Sequence, residues 1–134
     1  MSTPDLTHLI SRAEQLMARL ENVLPHPLSE PDWASAVAWR YRKRSSGGAT
    51  LEPIRHIGRM QLSDLQEVNT QKERFTRNLA QFVAGRTANN VLLTGARGTG
   101  KSSLVRAGLN EFAEKGLRLI EVDKADLVDL ADLV

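Results

Sequence analysis

The residues Gly95-Ala96-Arg97-Gly98-Thr99-Gly100-Lys101-Ser102 read G-x-x-x-x-G-K-S, the spacing of a phosphate-binding P-loop. Glycines at 95, 98 and 100 open backbone conformations closed to residues with a Cβ and let the chain approach a ligand closely. Successive N–H groups of such a loop make a concave anion nest. A helix that follows adds unpaired amides and the positive end of its dipole. Lys101 offers a full charge to β- and γ-phosphates, and the Ser102 hydroxyl offers an oxygen ligand to Mg²⁺, which keeps phosphates and waters for most of its shell. The candidate nucleotide contacts are Gly95, Ala96, Arg97, Gly98, Thr99, Gly100, Lys101, Ser102 and Ser103, with Ser102 the candidate metal ligand. ATP and Mg²⁺ are the expected ligands, and no catalytic residue is assigned. A glycine turn that binds nothing is the alternative, and it requires neither three glycines nor an adjacent Lys-Ser pair.

Positioning this loop requires a strand before it and a helix after it. The apolar run Val91 to Leu93 predicts the strand, entered through a turn at Asn89-Asn90. Ser103 to Lys115 predicts the helix, with Leu104, Val105, Leu109 and Phe112 on its buried face and Gly116 as its stop. Gly108 costs that helix about 1 kcal/mol relative to alanine, tolerable if it permits close helix-to-sheet contact. Leu117 to Val122 reads as the next strand, and Leu127, Val128, Leu130, Ala131, Leu133 and Val134 begin another amphipathic helix. Upstream, Ser63 or Asp64 opens a helix whose core, Gln71 to Ala84, places Phe75, Leu79, Phe82 and Val83 at helical spacing, and Gly85 ends it.

The preface is helical in its pattern. Ser2 or Thr3 caps a helix with Pro4 and Asp5 in its first turn, and Leu6, Leu9, Ile10, Ala13, Leu16, Met17, Leu20, Val23 and Leu24 form one apolar stripe before Pro25 and Pro27. That stripe is read first as packing against its own chain, with self-association or a protein partner as the alternative. Its polar face mixes Arg12, Glu14, Arg19 and Glu21, unlike the basic face of a membrane-surface helix. A second, shorter helix capped by Ser29 or Asp32 is expected to carry Trp33, Val37 and Trp39 into Arg40-Tyr41-Arg42-Lys43-Arg44. Interleaved aromatics and cations also suit nucleic acid, but two buried tryptophans ahead of solvated helix-end cations is the preferred reading. Ser45 to Ala49 has linker composition, and Leu51 to Met60 reads as extended. The expected organisation is a helical region at 1–44, a linker and extended segment at 45–60, and the N-terminal part of a nucleotide-binding domain at 61–134.

The chain has 134 residues, 41% of them hydrophobic, enough for one modest domain or part of a larger one but not for a complete large ATPase. A net charge of +2 and a pI near 9.3 argue only weakly for a polyanionic partner. The charge is unevenly placed. Residues 40–59 carry Arg40, Arg42, Lys43, Arg44, Arg55 and Arg59 against Glu52, whereas residues 121–134 carry Glu121, Asp123, Asp126, Asp129 and Asp132 against Lys124. Absence of cysteine excludes disulfide and thiolate chemistry. No apolar run approaches the roughly 18 residues of a spanning helix and no secretory signal opens the chain, so a cytoplasmic location is expected.

The stretch Asn89 to Ser102 resembles the nucleotide-binding entry of AAA+ ATPases, and more closely the bacterial ATP-binding proteins grouped as domain-of-unknown-function family 815. Further matches lie at Asp64-Leu65, Gln71-Lys72-Glu73, Asn78 and Gly116 to Asp123, so that the resemblance covers residues 28–134 and is strongest over 89–124. It implies an α/β fold: an incomplete P-loop NTPase, AAA+-like, with a parallel sheet and flanking helices behind an N-terminal helical region. It also implies that Gly95, Gly98, Thr99, Gly100, Lys101 and Ser102 hold the phosphates. The segment from Asp64 to Gln71 would lie beside the adenine, where Gln66 and Glu67 replace the family's apolar residue and glycine while Leu65 and Val68 supply apolar surface. Hydrolysis is not expected from this chain alone, because the later acidic strand, sensor and arginine finger that the resemblance implies are missing from it. Asp123 imitates the acidic strand but follows the wrong strand in order, so strand-end solvation or capping of the helix near Asp126 is its expected role. Two parallel strands that are not sheet neighbours also predict a marginally stable chain with exposed edges. The alternatives are a P-loop small-molecule kinase, with strand 117–122 beside the loop's own strand and Asp123 or Asp126 on the acceptor, and a nucleotide-gated interaction module.

Overall fold

The computed structural model describes residues 3–66 and 69–134. Ser2, Glu67 and Val68, named above as a cap and as adenine neighbours, lie outside the described residues. The elements are α1 (Thr3–Val23), β1 (Ala38–Lys43), β2 (Ala49–Pro53), α2 (Asn69–Val83), α3 (Lys101–Phe112) and β3 (Leu119–Glu121), with 3₁₀ turns at Leu62–Asp64, Ala113–Lys115 and Lys124–Asp132. The architecture is α/β, with a three-stranded mixed sheet in the order β2-β1-β3. β1 and β3 run parallel, with Ala38, Trp39 and Arg40 opposite Leu119, Ile120 and Glu121. Among the described residues no helix is long and apolar enough to cross a membrane.

The helix expected to run through residues 29–44 is not formed, and β1 occupies its second half. The reason is a period of two, which places Trp39 and Tyr41 on one face of a strand and Arg40 and Arg42 on the other. Trp39 and Tyr41 are buried. Asp32, expected as a helix cap, instead closes a turn, its carboxylate accepting from the Ala34 amide at 3.1 Å and its carbonyl from the Ser35 amide at 3.0 Å.

Two compact units divide the chain, one of residues 31–40 and 52–121, the other of residues 1–30, 41–51 and 122–134. The core of the first contains Ala38, Trp39, Phe75, Leu104, Ala107, Leu109 and Phe112. α2 and α3 pack together at Gly108, where an added Cβ would stand 2.7 Å from Leu79 Cδ1 and 2.7 Å from Phe75 Cε1. The glycine therefore serves a helix-to-helix approach, not the helix-to-sheet contact expected. Gly108→Ala gains about 1 kcal/mol of helix propensity but overpacks the contact at a cost of about 1–3 kcal/mol. A thermal melt should show a net loss of about 1 kcal/mol; a rise in melting temperature would refute the close approach. Arg118 fastens the start of β3, donating to the Trp33 carbonyl at 2.7 Å and the Ala113 carbonyl at 2.9 Å.

The expected strand at Val91 to Leu93 is not formed. A strand exists through the ladder bonds of a neighbour, and no strand among the described residues lies beside it. Leu92 is left 86% exposed. Of the two expected parallel strands only β3 is present.

In the second unit, α1 ends ahead of Pro25, as its sequence predicts. Every large residue of its apolar stripe is exposed, from Leu6 at 48% to Val23 at 77%. Gly47 and Gly48, both at positive φ, turn the chain between β1 and β2, and the Arg44 amide donates to the Gly48 carbonyl at 2.9 Å. The amphipathic helix expected from Leu127 is replaced by the 3₁₀ run Lys124–Asp132, with Leu127 and Val128 exposed. A helix this short draws its stability from a buried apolar face, and here Leu127, Val128 and Leu130 are exposed.

Asp129 accepts from Lys43 Nζ at 3.0 Å and from the Tyr41 hydroxyl at 3.4 Å. Burial, then the Asp129 charge, raises the Tyr41 phenol above its ordinary 10.0. The Asp129 hydrogen bond, then its charge, raises Lys43 above its ordinary 10.5. Both groups hold their protons more tightly folded than unfolded, so their contribution is full below pH 10.0 and is lost as pH rises through the raised values. Tyr41 is the single tyrosine, so phenolate absorbance reads it directly. It should titrate above 10.0 and move back toward 10.0 in Asp129→Asn; an unmoved titration would disprove the coupling.

Candidate functional site

Residues 95–100 are a loop that needs glycine at three places. Gly95, Gly98 and Gly100 have φ of 142°, 84° and 88°, a region that strains any residue with a Cβ. Between them the Thr99 hydroxyl donates to the Ala96 carbonyl at 2.8 Å and closes the curve. Gly100 is the residue before α3, and its carbonyl accepts from the Leu104 amide at 2.9 Å. The amides of Lys101, Ser102 and Ser103 precede that first ladder bond, so they have no intrahelical acceptor. Nothing lies within 4 Å of the Cβ positions of Gly98 or Gly100, leaving open space in front of the helix start.

Lys101 completes the loop electrostatically. Its Nζ donates to the Gly95 carbonyl at 2.6 Å, the Ala96 carbonyl at 2.7 Å and the Thr99 hydroxyl at 3.3 Å. The ammonium thus lies inside the curve it would otherwise leave to solvent. The helix start thus carries the unpaired amides of Lys101 to Ser103 and the positive end of the α3 dipole, with the Lys101 ammonium held on the loop beside them, groups that attract anions with several oxygens. A Cβ on Gly95 would stand 3.1 Å from Thr99 Oγ1, so the glycine also keeps the curve tight. The loop brings Gly95 to Ser103 together as one continuous turn. Ser102 is exposed in the first turn of α3.

One amide side chain holds the approach to this loop, and two further side chains fasten the segments beside α2 and α3. Asn78 on α2 clamps Asn89 from both sides, Nδ2 donating to its carbonyl at 2.6 Å and Oδ1 accepting from its amide at 2.8 Å. This fixes the chain six residues ahead of Gly95. Lys72 Nζ donates to the Leu62 and Leu65 carbonyls at 3.1 Å each. Asn110 Nδ2 donates at 2.8 Å to the carbonyls of Gly58 and Met60, tying the extended segment to α3. Asn78 and Lys72 enter the sequence reading only within matched runs, because nothing in a linear pattern tells a clamping amide from a solvated one. Asn78→Ala should destabilise by about 1–2 kcal/mol and sharply raise amide exchange at Asn89. Unchanged exchange there would show that the clamp is idle.

The sequence profile of the family described as protein of unknown function (DUF815) matches residues 34–134. No curated protein and no solved structure matches the chain.

Proposed function

We propose that the chain, which belongs to the DUF815 family, binds ATP through residues 95–103 in the manner of an AAA+ type P-loop protein. The observation that carries this reading is the pairing of open space at Gly98 and Gly100 with the Lys101 ammonium at the start of α3. The amides of Lys101, Ser102 and Ser103, which have no intrahelical acceptor, receive phosphate oxygens, joined by the Thr99 amide once it leaves the Ala96 carbonyl at 3.4 Å. The Lys101 ammonium exchanges its loop carbonyls for the β- and γ-phosphates, trading neutral acceptors for charged ones. The residues present suit Mg²⁺ in one respect, an exposed Ser102 hydroxyl one residue past that lysine. When bound, the ion would neutralise phosphate charge, with its remaining ligands drawn from phosphate and water. Leu65, in the segment that the family resemblance sets beside the adenine, is the proposed adenine side, and the function proposed is nucleotide binding.

The sheet order lacks the strand pairing that a small-molecule kinase requires, and it lacks the loop strand that either reading expects. A kinase of this class would set strand 117–122 beside the strand that leads into the loop, whereas β3 pairs with β1 and Val91 to Leu93 stays outside the sheet. Equilibrium dialysis of the full chain with ATP, ADP and AMP in Mg²⁺ is the test. Affinity should fall stepwise with each phosphate removed, because the loop grips the tail. AMP binding as tightly as ATP would end the proposal, and substrate-dependent transfer in a phosphoacceptor panel would install the kinase in its place.

A further inference from the structure

We infer that α1 is a self-association helix that packs side by side and parallel with α1 of a second copy of this chain. Its apolar residues fall into a heptad pattern, with Leu6, Ala13 and Leu20 in one register column, Leu9, Leu16 and Val23 in the next, and Ile10 and Met17 in the third, which Leu24 continues one residue past α1, its amide donating to the Leu20 carbonyl at 2.9 Å. These three columns are adjacent on the helix surface, so they form a continuous face wider than a two-column seam. All eight large members are 48–77% exposed. Eight half-exposed side chains offer on the order of 600 Å² of apolar surface per helix. Two such faces together remove on the order of 1,200 Å², the lower end of stable protein interfaces.

The charges identify the occupant. One flank of the face carries Arg12 and Arg19, and the opposite flank carries Glu14 and Glu21. Neither arginine has an acid three or four positions away on α1, and neither glutamate has a base there, so these charges are not arranged to support their own helix. When two identical helices meet in parallel, the basic flank of each faces the acidic flank of the other. Arg12 then lies beside Glu14 of the second copy, and Arg19 beside Glu21, each offset by about 3 Å along the axis. An antiparallel pair would bring like flanks together, Arg12 against Arg12. Charge complementarity thus selects a parallel second copy.

Sedimentation of the full chain should show an apparent mass at least twice 14.8 kDa, falling at high dilution. Leu9→Glu/Leu16→Glu should return it to a monomer. Arg12→Glu/Arg19→Glu and Glu14→Arg/Glu21→Arg should each weaken association at least about tenfold with unchanged helical circular dichroism, and an equimolar mixture of the two should restore it. The chain lacks cysteine, so Leu6→Cys should give a disulfide-linked pair on oxidation. A monomer at about 100 µM, association that survives Leu9→Glu/Leu16→Glu, or association without the Leu6→Cys cross-link would each overturn the inference.

Discussion

Lys101→Ala is expected to lower affinity for Mg·ATP by about 100-fold or more, with a change in thermal stability of no more than about 0.5 kcal/mol. The ammonium has three hydrogen-bond partners, all within its own exposed loop. Removing it returns the two carbonyls and the hydroxyl to water, which costs the fold little. Removing it from a bound triphosphate withdraws a charge from oxygens that the amides alone then hold. Charge-assisted bonds contribute about 1.5–3 kcal/mol each, and two lost together exceed the factor stated. Lys101→Arg should recover only part of the loss, because a planar fork cannot enter the curve that Gly95 and Thr99 close around an ammonium. Isothermal titration separates the outcomes: equal affinity in wild type and Lys101→Ala would remove the loop from the binding site.

Leu109→Ala is expected to cost about 2–5 kcal/mol. Leu109 is 2% exposed, among the most enclosed side chains of the core, and it lies on α3 eight residues beyond Lys101. Its loss leaves a cavity whose walls are held by neighbouring helices and cannot collapse fully. In a chain of this size each kcal/mol moves the melting temperature by several degrees, so the variant should melt at least about 10 °C lower. Saturating ATP should restore part of this by linkage, about 2.7 kcal/mol at a hundredfold excess over Kd. A loss below about 1 kcal/mol would mean that this core is not the one that holds α3.

The elements legible in the sequence share one property: their signals are local. The helix pattern at Gln71 to Ala84 matches α2, and Ser103 to Lys115 matches α3 and its 3₁₀ extension, because 3.6-residue periodicity and the positive φ of Gly85 and Gly116 are written in consecutive residues. The conformations of Gly95, Gly98 and Gly100 likewise follow from residue type. The misread elements depend on neighbours. Ala38 to Lys43 carries a helix expectation from its own residues, and pairing with β3 makes it a strand. Among the described residues no strand lies beside Val91 to Leu93, and Leu127, Val128 and Leu130 are exposed.

The sequence by itself determined the chemistry of the 95–103 loop: three glycines, a lysine and two serines at fixed spacing, and the helix that presents them. Only the tertiary structure decided that Lys101 lies against its own loop carbonyls, that Asn78 clamps the approach, that Gly108 receives α2, and that the α1 stripe faces outward. The division follows from range. Backbone preference and periodicity act between residues within one turn of each other, whereas clamps, sheet partners and buried faces join residues that the chain order alone never places side by side.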